Sequence, residues 1–321
     1  MNPLISVIIP THNPNDKRLN KTLIALKNQT LLQENWELIV IDNLTPDPSY
    51  IPSFDFSWHN FAKIIREERL GLTRARIAGI NASRGNYLVF VDDDNVLDVN
   101  YLSNVIAIFQ NHHHLGAIGG KSLPEFEVEP EHWIKDFWVC LALRDLGDEV
   151  QVYSFDELSS KEKQHPLFAP IGAGMALQRQ AAQFYVDSIA ENVNRLSLDR
   201  TGKSLQSGGD CDINLTLLEA GWAVGYFPQL QLNHLISSNR LTKDYLARLN
   251  RASSRSWVQV LDAHNIHPWQ KIPSWSVIPR QIKAFFSYQP WKSPANYINW
   301  QGACGMFEGL GELLTNKSTN L

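Results

Sequence analysis

The chain has 321 residues, of which 44% are hydrophobic and 19% are charged, and its formal net charge is −4. This content is enough for the core of one large or two small domains. The acidic average argues against a general nucleic-acid-binding protein, because such proteins usually carry a basic excess.

Several features favour a cytoplasmic location. No stretch approaches the roughly 18–20 apolar residues that a membrane span needs, and the first residues lack the basic leader and apolar run of a signal peptide. Three widely spaced cysteines, Cys140, Cys211 and Cys304, favour a reducing compartment. We expect a cytoplasmic protein that either is free in solution or lies peripherally at the inner face of the membrane.

The first hundred residues alternate between short apolar runs and amphipathic segments. The runs predict strands over residues 5–9, 36–41, 63–65 and 86–91, and the segments predict helices over 18–29 and 71–82. Continuous apolar strands are typical of a parallel sheet covered on both faces. The pattern predicts an α/β fold with ligands bound beyond the carboxyl ends of the strands.

Polar side chains follow three of these strands where each ends. Asn13, Asp42 and the run Asp92–Asp94 occupy these positions. Three adjacent carboxylates repel one another, and a divalent cation would relieve that repulsion. Mg²⁺ or Mn²⁺ bound by one or two carboxylates typically takes its other ligands from phosphate oxygens. The alternative is an acidic, solvated turn.

The later residues are less regular. Residues 172–177 predict a tight turn that enters a strand, and residues 212–220 predict a helix closed by Gly221. Residues 224–227 predict a last strand, with His234 after it. From Arg240 to Leu321 there are ten Lys or Arg against four Asp or Glu, so the last part of the chain is basic, and it is also rich in tryptophan.

Several motifs, in order and in spacing, resemble the family 2 nucleotide-sugar glycosyltransferases. They are Ser6-Val-Ile-Ile-Pro-Thr-His-Asn13, Ile39-Val-Ile-Asp42, Gly71-Leu-Thr-Arg-Ala-Arg76, Phe90-Val-Asp-Asp-Asp-Asn95 and Gly208-Gly-Asp-Cys-Asp212. The resemblance covers roughly residues 4–250. It implies a GT-A fold, which is a Rossmann-like sandwich with a mostly parallel central sheet. We expect a catalytic domain over residues 1–240, with a nucleotide half to about 120 and an acceptor half after it. A helical extension would follow over 241–321.

The resemblance assigns donor-binding roles to six residues. Thr11 and Asn13 would line the nucleoside pocket, and Asp42 would contact the base, which favours UDP. Arg76 would hold the nucleotide end of the donor. Asp92 would contact the ribose, and Asp93 could share the role of either neighbour.

The resemblance also implies a metal site. Asp94 would bind Mn²⁺ or Mg²⁺, and His234 would reach the metal or the diphosphate. A neutral imidazole is a good metal ligand, although His234 could also be a buried structural histidine. Arg240 could clamp the diphosphate or lie on the surface.

By the same resemblance, Asp210 is the catalytic base. It would take a proton from the acceptor hydroxyl in a single inverting displacement. The family usually has Gly-Glu-Asp here, whereas Gly209 precedes Asp210 in this chain. Asp212 therefore stays open as the base, as a donor or acceptor contact, or as a plain helix cap. Gly172 and Gly174 could let the backbone approach the sugar, or could form a simple turn.

The resemblance implies a saccharide or lipid-linked acceptor and a role in exopolysaccharide or other surface-glycan assembly. One alternative is a catalytically inactive nucleotide-sugar-binding subunit, and a weaker one is a phosphohydrolase. The basic, Trp-rich extension suits an anionic membrane surface, but its aromatic residues could equally pack on the catalytic domain.

Overall fold

The computed structural model describes residues 3–155, 163–190 and 192–315, which form one sheet covered by helices. The last six residues of the expected extension, 316–321, lie outside these ranges. The strands are β1 (Ile5–Thr11), β2 (Trp36–Asp42), β3 (Ala62–Arg66), β4 (Tyr87–Phe90), β5 (Asn95–Leu97), β6 (Leu115–Phe126), β7 (Gln151–Tyr153), β8 (Ala176–Gln178) and β9 (Ala223–Ile236). The helices are α1 (Asp16–Lys27), α2 (Leu72–Ala82), α3 (Tyr101–Asn111), α4 (Arg179–Ile189), α5 (Val193–Leu196), α6 (Gly209–Glu219), α7 (Lys243–Ala263), α8 (Val277–Tyr288) and α9 (Pro294–Thr315).

The sheet confirms the predicted α/β class. Its strand order is β3-β2-β1-β4-β8-β6-β9-β5, and β7 pairs with β9. Strands β1 to β4 pair in parallel, and so do β6 and β9 over most of their length. The antiparallel pairs involve the three-residue strands β5, β7 and β8. Parallel pairing therefore dominates, and it brings the carboxyl ends of β1, β2 and β4 to one edge.

Both faces of the sheet are covered, as the continuous apolar strands predict. Val7 and Ile9 of β1 belong to one hydrophobic cluster with residues of α1 and α3. Ile8, between them, belongs to a second cluster with residues of α2, α4 and α6. Side chains alternate across a strand, so β1 contributes to both cores and has no polar face.

Two expected element boundaries are wrong in ways that affect the site. Helix α6 begins at Gly209 rather than at residue 212, so Asp210 lies in its first turn. Strand β9 continues to Ile236, so His234 lies within this strand rather than after it. Pairing of β9 with β6 and β5 accounts for the longer strand.

Residues 241–315 form three α-helices, two of which pack closely. A Cβ at Gly305 of α9 would lie 2.0 Å from the carbonyl oxygen of Arg251 in α7. Only glycine permits such a close approach of two backbones. Ion pairs from Arg251 to Glu308 and from Arg255 to Glu312 cross the same interface. The boundary at residue 240 stays a prediction.

None of the helices within the described ranges combines the length and the apolar character that are needed to cross a bilayer.

We predict that Gly305→Ala lowers the free energy of unfolding by about 1–3 kcal/mol, the usual cost of overpacking. The clash with the Arg251 carbonyl should outweigh the gain of about 1 kcal/mol in helix propensity. Denaturant titration measures the change. Gly311→Ala is the control, because its Cβ would meet a methyl of Val277, which can rotate away. Equal or higher stability for Gly305→Ala would contradict the packing argument.

Candidate active site

A cleft of about 320 Å³ opens at the carboxyl ends of β1, β2 and β4. Its wall carries many charged residues, including five aspartates from three separate segments and three arginines. They are Asp92, Asp93, Asp94, Asp199, Asp210, Arg76, Arg200 and Arg240. His12 and His234 also line it. Its place agrees with the rule that open α/β sheets bind ligands at this edge.

The aspartate run after β4 forms a short turn into the pocket. Asn95 closes the turn, because its backbone N–H donates to the Asp92 carbonyl at 3.0 Å and its side-chain oxygen accepts from the Asp92 N–H at 3.2 Å. The Thr11 hydroxyl, at the end of β1, donates to the Asp93 carboxylate at 2.5 Å. Burial raises the pKa of Asp93 to about 7, and the Asp94 charge adds to this effect. Thr11, Asp92 and Asp93 thus line one wall together, as expected.

Strand pairing brings Asp94, His234 and Arg240 together. The register of β5 and β9 sets Asn95 opposite His234. The Asp94 carboxylate lies 3.3 Å from Nε2 of His234, and it accepts from the Arg240 guanidinium at 3.2 Å. Burial alone would raise the pKa of Asp94, but His234 and Arg240 outweigh burial and lower it. Nδ1 of His234 is buried and has no hydrogen-bond partner among the described residues.

Arg76 lies in the pocket wall and pairs with an aspartate that no sequence motif indicated. Its guanidinium donates to Asp199 at 3.1 Å, and both side chains are almost fully buried. Burial raises the pKa of Asp199 more than Arg76 lowers it. Asp199 lies in the irregular segment between α5 and α6, which explains why periodicity and motif spacing missed it.

Asp210 faces the pocket from the first turn of α6. One carboxylate oxygen accepts the Gly172 N–H at 3.0 Å, and the other accepts the Cys211 N–H at 2.8 Å. Asp210 is half-buried and makes no ion pair within the described part of the chain. The Asp210 carboxylate therefore accepts hydrogen bonds from uncharged groups. Gly172 lines the pocket beside it.

The expectation that Asp212 contacts the donor or acceptor, or caps the helix, is wrong. Gly208 is the N-cap of α6, and Asp212 is fully buried outside the pocket lining. Its carboxylate pairs with Arg195 at 2.8 Å and lies 3.0 Å from Nε2 of His264. The Tyr185 hydroxyl also donates to it. Asp212 therefore joins α5, α6 and the C-terminal end of α7 in a buried polar network.

Three other expected contacts also lie outside the pocket lining: Asn13, Asp42 and Gly174. The Asp42 carboxylate is engaged with Arg66 at 2.5 Å and with the backbone of Thr45. Asn13 is exposed, with a positive φ of 50°. Gly174, with φ of 77°, forms a turn before β8. These residues shape loops near the site.

Asn43 takes the position in the pocket that was expected for Asp42. Its side-chain oxygen accepts from the Gly71 N–H at 2.8 Å, and its amide nitrogen donates to the Arg69 carbonyl at 2.9 Å. These bonds hold the start of α2 against the end of β2. Nδ1 of His12 lies 2.7 Å from the Asn43 carbonyl oxygen, so His12 belongs to the same corner.

Comparison with known proteins identifies the family. The profile described as glycosyl transferase family 2 matches residues 6–184, which is more than half of the chain and includes β1, Arg76 and the aspartate run. The chain belongs to glycosyl transferase family 2.

Two relatives illustrate the sequence similarity of this chain to known family members. It is 34% identical over 94 residues to glycosyltransferase AglE of Haloferax volcanii, covering 29% of this chain and 31% of the relative. It is 31% identical over 96 residues to the poly(ribitol-phosphate) beta-glucosyltransferase of Bacillus spizizenii, covering 29% and 15%. Among the relatives that align best, the aligned part covers between 12% and 31% of their length.

The fold of this family member extends beyond the matched segment. S. aureus TarS, residues 1–349 in complex with UDP, superposes with a TM-score of 0.50 at 13% sequence identity. The superposition covers 98% of this chain and 91% of the TarS chain. The likeness supports a glycosyltransferase fold that includes the helices after residue 240.

Proposed function

We propose that the chain is an inverting glycosyltransferase that moves a sugar from a nucleotide diphosphate sugar to an acceptor hydroxyl. The observation that carries the proposal is one pocket in a family 2 member that is lined by Asp92–Asp94, Arg76 and Asp210. This pocket offers groups for a diphosphate and a separate carboxylate for proton transfer.

Asp210 would act as the general base. An acceptor hydroxyl is a poor nucleophile near neutral pH, so a carboxylate must take its proton as the oxygen attacks the anomeric carbon. The neutral backbone donors at Asp210 orient the carboxylate without neutralising it. The sugar–phosphate bond breaks as the new bond forms on the opposite face, which inverts the anomeric configuration.

Arg76 and Arg240 would bind the anionic part of the donor. A planar guanidinium pairs well with phosphate oxygens, and both arginines line the pocket. Thr11 and Asp92 would contact the nucleoside, and Asn43 and His12 line the same pocket. The complex of TarS with UDP makes a UDP-sugar the first donor to test.

A divalent cation fits part of this wall. No group of three or more His, Cys, Asp or Glu arranged to hold a metal occurs in the described ranges. A bound cation would therefore take its remaining ligands from oxygen atoms of the nucleotide sugar. Asp94 and His234 would be the protein ligands, and the Asp94 carboxylate oxygens suit Mn²⁺ or Mg²⁺. When bound, the cation would stabilise the charge on the leaving diphosphate.

The relatives favour a saccharide or polyol-phosphate acceptor. The relative from Bacillus spizizenii is described as a poly(ribitol-phosphate) beta-glucosyltransferase, and two others are described as minor teichoic acid biosynthesis proteins. A role in surface-polysaccharide assembly therefore suits this chain, with a soluble or lipid-linked acceptor. The proposed location of this chemistry is the inner face of the membrane.

We predict that Asp210→Asn lowers the transfer rate by about 10²–10⁴-fold, the usual contribution of general-base catalysis. UDP affinity should change little, because other residues hold the donor. Release of UDP from a panel of UDP-sugars, with and without poly(ribitol phosphate) as acceptor, measures the rate.

Asp212→Asn is the matched control for Asp210→Asn. It should retain the transfer rate per folded molecule while losing about 3 kcal/mol of stability, since it removes one partner of a buried ion pair. If Asp212→Asn loses transfer while Asp210→Asn keeps it, Asp212 rather than Asp210 would be the general base. Hydrolysis of a phosphomonoester without UDP binding would favour a phosphohydrolase, and UDP-sugar binding without turnover would favour an inactive subunit.

We predict that excess chelator lowers transfer by at least about 10²-fold, because the leaving charge loses its Lewis acid. Added Mn²⁺ should restore the rate. Asp94→Ala should abolish this metal response, whereas Asp98→Ala should keep it, since Asp98 is exposed and its carboxylate accepts from the Asn100 N–H outside the pocket lining. Full turnover in chelator would exclude the metal requirement.

A peripheral membrane contact is supported by α8 and its flanks. The residues between Asp262 and Glu308 include four Lys or Arg and no Asp or Glu. Trp275, Ile278, Ile282, Phe286 and Trp291 form what we call the α8 face, and each is more than half exposed. The 278–282–286 spacing puts three of them on one side of the helix.

The aromatic residues of the extension divide into two groups. Phe285 packs against Trp300 with ring centroids 5.2 Å apart, and Trp300 donates to the Gln281 carbonyl. This contact attaches α8 to α9, so packing accounts for these aromatic residues. The α8 face is left exposed, with cations beside it, which suits an interfacial helix on an anionic bilayer.

We predict that the protein floats with vesicles containing anionic lipid and that high salt releases much of it, because salt screens the attraction. Phe286→Glu should reduce flotation about tenfold or more, since it removes apolar area and adds repulsion. Phe184→Glu is the control, because Phe184 is an exposed phenylalanine on α4. Equal flotation of both variants would exclude the α8 face as the contact.

A further inference from the structure

Two glycines enclose the ion pair between Arg76 and Asp199. A Cβ at Gly172 would lie 2.3 Å from a guanidinium nitrogen of Arg76, and a Cβ at Gly209 would lie 2.2 Å from Oδ2 of Asp199. Neither glycine has a positive φ, so the backbone conformation does not require glycine at either position. The space taken by the ion pair requires it.

We infer that Asp199 is a positioning residue of the active site, which holds the Arg76 guanidinium in the pocket wall and away from Asp210. The inference rests on the proposed function, because it assigns Asp210 as the base. Asp199 acts through Arg76 and is not itself assigned a proton-transfer step.

The charges around Arg76 support this role. Burial alone would lower the pKa of Arg76, but Asp199, Asp92 and Asp210 together outweigh burial and raise it. Arg76 therefore lies in the field of three carboxylates and forms its ion pair with Asp199. Without Asp199, the buried guanidinium would be drawn towards the two remaining carboxylates, and one of these is the proposed base.

Gly172 contacts both the Asp210 carboxylate and the arginine that pairs with Asp199. Its N–H donates to Asp210, and its Cα lies against the Arg76 guanidinium. On the opposite side, the Arg200 N–H donates to Asp199 at 2.9 Å and fixes that carboxylate. A change at Asp199 should therefore reach Asp210 through one short chain of contacts.

The first experiment compares Asp199→Asn with Asp212→Asn. Both change a buried aspartate that pairs with an arginine, but only Asp199 lines the pocket. We expect Asp199→Asn to lower kcat per folded molecule by about 10²-fold, the usual cost of a misplaced active-site group, and to weaken UDP binding about tenfold through loss of the fixed Arg76. Asp212→Asn should lower the melting temperature and leave kcat per folded molecule within about threefold, because it acts on stability alone.

The second experiment moves the carboxylate. In Asp199→Ala combined with Gly209→Asp, the new side chain enters the space that the Asp199 carboxylate leaves, on the first turn of a helix where an acidic residue is favourable. We expect at least about a tenfold gain in kcat over Asp199→Ala, since an anionic partner for Arg76 returns. Gly209→Asp alone should be poorly active, because two carboxylates would compete for one space.

The outcomes separate this inference from the proposed function. Near-wild-type kcat and UDP affinity in Asp199→Asn would overturn the positioning role and leave the proposed function intact. Failure of the double variant to exceed Asp199→Ala, with both proteins folded, would also overturn it, and this comparison holds even if Asp199→Asn does not fold. A wild-type protein that binds UDP but transfers no sugar would remove the proposed function, and UDP affinity would then decide the role of Asp199.

Discussion

Carboxylates that share one pocket repel one another, and this chain directs five of them into a single cleft. The structure compensates four of them in different ways. Asp94 lies against an arginine and a histidine, Asp199 pairs with Arg76, and Asp210 accepts from neutral donors, namely two backbone N–H groups and the Cys211 thiol. Burial holds the pKa of Asp93 near 7, so part of the repulsion is relieved by protonation around neutral pH. The differences in partner give similar side chains different chemical roles.

The groups that sequence reasoning located correctly are those that depend on local structure. A buried apolar strand that runs directly into Asp92–Asp94 puts those carboxylates at the edge of the sheet whatever the rest of the chain does. Asp199 could not be located in this way, because it is 123 residues from Arg76 and lies in an irregular segment. Asp42 lies outside the pocket lining for a related reason: Arg66, on the neighbouring strand β3, pairs with its carboxylate.

Asp210 and Asp212 show how the residue at which a helix begins decides which side chain faces the cleft. Two residues are about 200° apart around a helix of 3.6 residues per turn. Because α6 begins at Gly209, Asp210 faces the cleft and Asp212 faces the core. Glycine in place of the family's glutamate before Asp210 left both aspartates as candidates from the sequence, and the start of α6, three residues earlier than expected, separates them. The buried partners of Asp212, Arg195 and His264, come from outside α6 and could not be read from the motif.

The glycine before Asp210 departs from the family pattern, which usually has glutamate there, and such a departure suits the inactive-subunit alternative. In the fold, the space beside Gly209 holds the carboxylate of Asp199, which lies 2.2 Å from where a Cβ at that position would be. A side chain at 209 and the present position of Asp199 exclude each other. An acidic group from another segment, Asp199, therefore fills the space beside position 209 and pairs with Arg76. A site that had simply lost function would have no reason to keep that space filled by a buried, paired aspartate, because burying a charge is costly unless it is compensated. The absence of glutamate at 209 thus gives no reason to infer an inactive pocket.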